Sequence, residues 1–149
     1  MPGIRPSISG SLAMLSALCT LGCFGPTYNW NGQWLGNRHL KGQPGARPDI
    51  VWTAGMVDLI LRPGGTFEMF ELGAPKSGTY RTSDGKAYLH TLTFFDKPIS
   101  EQGQMAVELN KEIVLTPIDK NTIELFDPGG FDKTPIRLAR QASDKPIGT

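Results

Sequence analysis

Reactive side chains are scarce in this chain. It has two cysteines, Cys19 and Cys23, and two histidines, His39 and His90. No HxH, HExxH or CxxC spacing occurs among them, so no zinc site is expected. There is no Gly-x-Ser-x-Gly elbow to present a nucleophile. Pro63-Gly64-Gly65 and Asp127-Pro128-Gly129-Gly130 are glycine-rich but lack the lysine of a phosphate loop, and they read as turns. Glycoside hydrolysis needs two facing carboxylates. Glu68 and Glu71 fall on opposite faces of one strand-like segment and are expected on an outer surface. The expectation is a protein that is not an enzyme, with no catalytic residues, no metal and no cofactor.

Charge of one sign is also missing. Lys and Arg number 15 against 14 for Asp and Glu, and Arg5 accounts for the difference. With no basic cluster, nothing draws the chain toward a phosphate backbone, and no nucleic-acid partner is expected. Long apolar runs are absent as well. The run Ser11–Phe24 falls short of the ~20 residues that a spanning helix needs. After residue 30 no amphipathic helix of ordinary length is legible.

What is present begins with that run. Arg5 precedes an uncharged stretch from Pro6 to Asn37, whose apolar centre is followed by Gly22, Gly25 and Pro26. This is the pattern of a secretory signal. The expected division is a signal peptide over 1–22, a short linker over 23–31, one β domain over 32–140 and a flexible tail over 141–149. Thr20-Leu21-Gly22-Cys23 resembles a bacterial lipobox, in which a small residue precedes the lipidated cysteine. Gly22 fits that pattern, whereas Leu21 and Thr20 depart from its usual order. The resemblance marks Cys23 for lipidation, which would make the membrane a partner only through a lipid anchor. Anchoring in the cell envelope and plain secretion or periplasmic release both stay open.

Gly (18) and Pro (12) exceed their usual share and punctuate the rest of the chain. Alternation and turn chemistry predict eight strands: Trp34–Leu40, Met56–Arg62, Thr66–Leu72, Gly78–Thr82, Ala87–Phe95, Met105–Thr116, Thr122–Phe126 and Pro135–Arg140. Turns fall at Pro63-Gly64-Gly65, Asp84-Gly85, Asp119-Lys120-Asn121 and Asp127-Pro128-Gly129-Gly130. Lys41–Thr53 and Asp96–Gln104 read as long loops. The expected fold class is all-β: an up-and-down antiparallel barrel of about eight strands, preceded by a signal helix.

In this order the pieces resemble the lipocalin-like small lipoprotein domains of bacteria, a calycin-type β-barrel. They are Gly32-Gln33-Trp34, then Gly64-Gly65-Thr66-Phe67, Gly78-Thr79-Tyr80 and Ile136-Arg137-Leu138-Ala139-Arg140. The resemblance covers roughly residues 30–140. It implies a structural motif of Gly32, Trp34 and Arg140, with Gly32 bending the chain and Trp34 plugging one end. Arg140, on the face of Ile136 and Leu138, would stack on the indole.

Two functional expectations follow. One is a non-catalytic binding module for a small apolar ligand, lined by Phe67, Phe70, Tyr80, Tyr88, Phe94 and an interior His90. The other is an envelope interaction protein with a filled barrel, contacting an envelope partner through an outer face or the two long loops. An apolar interior opening favours the first, and an exposed apolar patch beside the loops favours the second.

Overall fold

The computed structural model describes residues 27–42 and 44–142. The signal segment, Cys23 and residues 143–149 of the tail lie outside the described residues. Alternating apolar side chains build a strand meander. It runs through β1 (Gly32–Asn37), β2 (Met56–Arg62), β3 (Thr66–Glu71), β4 (Ala74–Ser83) and β5 (Lys86–Phe94). A two-residue β6 (Lys97–Pro98) folds back on β5, and β7 (Ile113–Asp119), β8 (Thr122–Phe126) and β9 (Ile136–Arg140) complete the chain. Every pairing is antiparallel. Sequential strands pair from β1 to β6 and from β7 to β9, β5 also pairs with β7, and β9 returns to β1. Eight strands therefore close into an up-and-down barrel, which removes the unpaired edges of an open sheet.

The interior is solid. Trp34, Val57, Leu59, Ala87, Leu89, Leu115, Ile123, Leu125 and Leu138 all have 0% exposure. A void that admits water would leave accessible area on the side chains around it, and these have none. Burial of each large side chain contributes ~1.5–3 kcal/mol. A smaller cluster of Ala74, Phe94, Ile99 and Leu109 sits apart from this core.

Several expectations are corrected. The loop Lys41–Thr53 contains most of a two-turn helix, α1 (Pro48–Ala54), started by proline at its first turn and Asp49 beside it. The strand expected over Met105–Thr116 begins only at Ile113. Its first part is helical turns over Gly103–Met105 and α2 (Ala106–Leu109). Met105, Val107 and Leu109 mimic a period of two, but Ala106 and Leu109, three apart, face the small cluster as a helix requires. The fourth strand starts at Ala74 rather than Gly78. Pro75 is tolerated near its start, and its carbonyl accepts from the Phe95 N–H.

A bulge at Leu92 has the largest effect. Ser77 pairs with Thr93 while the next residue, Gly78, pairs with Thr91, so Leu92 is extra. Before it, Ala87, Leu89 and Thr91 face inward; after it, Phe94 does. Gly78 faces this irregularity, and a β-carbon there would stand 2.0 Å from the His90 carbonyl oxygen. We expect Gly78→Ala to destabilise the fold by ~2–4 kcal/mol, because the obstruction is backbone. Urea unfolding checks this, and a loss under ~0.5 kcal/mol would refute it.

Candidate functional site

The two barrel ends differ in construction. At one end the strands are joined by tight turns at Pro63–Gly65, Asp84-Gly85 and Lys120-Asn121. Residues 27–31, expected as a linker, cross this end and contribute Trp30 and Tyr28 to the core. Trp34 Nε1 donates to the Trp30 carbonyl at 3.0 Å. Tyr28 stacks on Trp34 with ring centroids 6.3 Å apart. Trp34 and Arg140 are paired directly across the β1–β9 seam, and the guanidinium carbon lies 4.0 Å from the indole centroid. Arg140 also donates to the carbonyls of Asn31, at 2.6 Å, and Asn29. Gly32 adopts φ +131°, and a β-carbon there would stand 3.1 Å from Arg140 Nη1. Burial pushes the Tyr28 and Tyr80 hydroxyls above their ordinary pKa, so both donate as neutral phenols. Their acceptors are the Asp119 carbonyl and the Asn31 side chain. The arrangement is a plug and a seam.

The opposite end carries three long connections: residues 38–55, 95–112 and 127–135. Beneath them lies a set of buried charges. Arg38, just past β1, donates through Nε to Glu71 at 2.5 Å and through Nη1 to the Thr134 carbonyl at 2.7 Å. Lys76 on β4 is bonded to Asp127 just past β8, and lies 3.9 Å from Glu71. These four side chains are 1–4% exposed. Two cations and two anions cancel, which is how charge is held away from water. Glu71 thus sits inside the wall, correcting its expected outer position, while Glu68 does lie outside and bonds Arg62. Parity from Phe67 and Met69 carries Glu71 inward, and Arg38 and Lys76 make that position tolerable.

The six aromatic and histidine residues expected around a ligand do not converge. Phe67 is buried in the main core, Tyr80 packs at the tight-turn end, and Phe94 belongs to the small cluster. Phe70, Tyr88 and His90 face outward. Tyr88 lies under the Arg81 guanidinium at 4.5 Å. The interior His90 is therefore corrected to an exposed one. It shares the outward parity of Tyr88, and the Leu92 bulge separates both from Phe94. His39 is exposed and contacts Trp52. Among the described residues no three His, Cys, Asp or Glu side chains converge in a metal-ligating group, and no helix is long and apolar enough to cross a membrane.

Clefts occur on the outside. One of about 400 Å³ lies at the long-connection end between α2 and the Gly129-Gly130 turn, with Met105, Leu109, Phe131 and Lys133 in its walls. Another, of about 420 Å³, runs along the outer face by Asp58, Ile60 and Phe70. The one signal of the buried charges in the sequence was the parity that Glu71 shares with Phe67 and Met69; Lys76 lay outside the expected strands.

Two outcomes follow from these contacts. Arg140→Ala should cost ~2–4 kcal/mol, by losing the stack and two charge-assisted bonds, and Arg140→Lys should restore less than half. Denaturant unfolding followed by tryptophan fluorescence reads both. Lys76→Met should cost ~3–5 kcal/mol, by stranding buried carboxylates. Adding Asp127→Asn, which keeps an acceptor for the Gly129 N–H, should recover at least ~1 kcal/mol of that in a double-mutant cycle.

No family model matches this chain, and no curated protein matches it. Among solved structures, a DUF4847 family protein from Bacteroides vulgatus is similar, at 18% sequence identity. That match covers 76% of this chain and 95% of the other, with a TM-score of 0.37.

Proposed function

We propose that this chain is a non-catalytic, exported or lipid-anchored β-barrel module of the lipocalin-like lipoprotein kind, binding its partner on the outside of the barrel. The binding end is the one with the three long connections. The observation that carries this reading is the filled interior: a ligand cannot enter a barrel whose central side chains already touch on all sides. The same end collects large exposed apolar residues. Val107 is 70% and Phe131 68% exposed, and the exposed Ile50, Trp52, Phe95 and Met105 lie in the same three connections. Isolated exposed apolar residues need no explanation, but a concentration on one rim is what a partner surface requires. Loops on a rigid scaffold are also where binding residues concentrate. The order of Gly32-Gln33-Trp34, Gly78-Thr79-Tyr80 and Arg140 supports the lipocalin-like assignment, and Gly22-Cys23 after an apolar run supports export and acylation.

Two measurements test the proposal. The mass of the protein purified from its own host should show cleavage after Gly22, with acylation at Cys23 in the anchored form. An unprocessed amino terminus overturns the export part. Photo-crosslinkers placed at Val107 and Phe131 should trap a partner in the same cells, while one at Thr82 on the tight-turn end should not. Equal trapping from both ends, or a ligand extracted from inside the barrel, overturns the outer-binding part.

A further inference from the structure

We infer that the cleft between α2 and the Gly129-Gly130 turn is a binding site for a small apolar molecule with one anionic head, such as an alkyl carboxylate. The inference rests on the outer-binding reading above and names the ligand class for that same end.

The cleft measures about 400 Å³, within the range of small-ligand sites. Its walls are Met105, Leu109 and Phe131, and at one side Gly129 packs directly on the Glu108 backbone, where a β-carbon would stand 2.0 Å from the carbonyl oxygen. Phe131 and Met105 are exposed, so water covers apolar area that an alkyl chain would displace. Charge at the lip decides which head group is admitted. Glu108 is contacted by Lys111 at 2.7 Å and by Lys133 at 3.5 Å. Lys111, through its hydrogen bond, holds the Glu108 carboxyl below its usual range, so it is ionised near neutral pH. Lys111 already holds both Glu108 oxygens, so among the described residues Lys133 is the cation left without a close partner at the lip, and the neighbouring Asp132 carboxylate faces Arg38 at 3.5 Å. Lys76, deeper in the cleft, adds no net charge, because Asp127 cancels it. Lys133 has the longer contact and an exposed side chain, so it is free to turn from Glu108 to an incoming anion. An apolar body between Met105, Leu109 and Phe131 would place its head within reach of Lys133, which lines the same cleft.

The experiment titrates the isotope-labelled full chain with octanoate, octylammonium and octanol, below aggregation, and follows backbone amide shifts. Octanoate should shift amides of residues 104–109 and 129–133. It should bind about two- to fivefold more tightly than octanol, the size of one exposed ion pair, with octylammonium weaker than both. Lys133→Met, a surface change, should abolish the advantage of octanoate over octanol. Glu108→Gln should tighten octanoate, by releasing both lysines. Preference for octanol or octylammonium at these amides would overturn the inference and leave outer binding intact. Failure of all three to shift these amides would do the same. Octanoate shifts centred on Leu59, Leu89 and Leu115 would overturn both the inference and the reading beneath it.

Discussion

A meander of eight antiparallel strands keeps two open edges until its last strand reaches its first. Here they meet over only two registered pairs, Trp34 with Arg140 and Leu35 with Ala139. So short a ladder supplies few backbone bonds, and the seam depends on what the paired side chains do. Arg140 lays its guanidinium on the Trp34 indole and ties down the carbonyls of Asn29 and Asn31. One side chain thereby joins the end of the domain, its first strand and the segment that precedes that strand. Trp34 in turn fills the barrel mouth, with Tyr28 stacked on it and its N–H satisfied by Trp30. If this contact fails, the sheet opens at β1 and β9, and the apolar interior loses its lid at the same moment.

From that constraint the molecule divides into two ends with different physics. The seam end is made of short turns, aromatic packing and hydrogen-bonded phenols. The other end spreads three long connections over a neutral set of four buried charges and a small separate apolar cluster. Few buried apolar contacts hold the 99–109 turns in place, so local opening is expected there before the barrel itself yields. Such an end can rearrange without disturbing the core. Its exposed Val107, Phe131 and Trp52 are affordable only because Trp34, Leu59, Leu89 and Leu115 already supply a closed interior. The buried ions follow the same logic. They cost desolvation, but they tie the chain just past β1 and β8 to β3 and β4.

The sequence by itself determined the all-β class, the number of barrel strands and most turns. Each of those is a local property: alternation with period two, Asp-Gly and Pro-Gly-Gly punctuation, and no helical periodicity long enough to compete. The pairing of an arginine with Trp34 came from the resemblance to lipocalin-like domains, and parity along Ile136-Arg137-Leu138-Ala139-Arg140 selected Arg140 rather than Arg137. Tertiary structure alone decided which way residues near irregularities point. One extra residue at Leu92 turned Phe94 inward while His90 stayed outside, and a bulge is chosen by the neighbouring strand, not by the residues themselves. It also decided that Glu71, Lys76, Arg38 and Asp127 would meet. They are scattered across 90 positions of chain, and only the closed barrel brings partners of opposite charge close enough to make their burial possible.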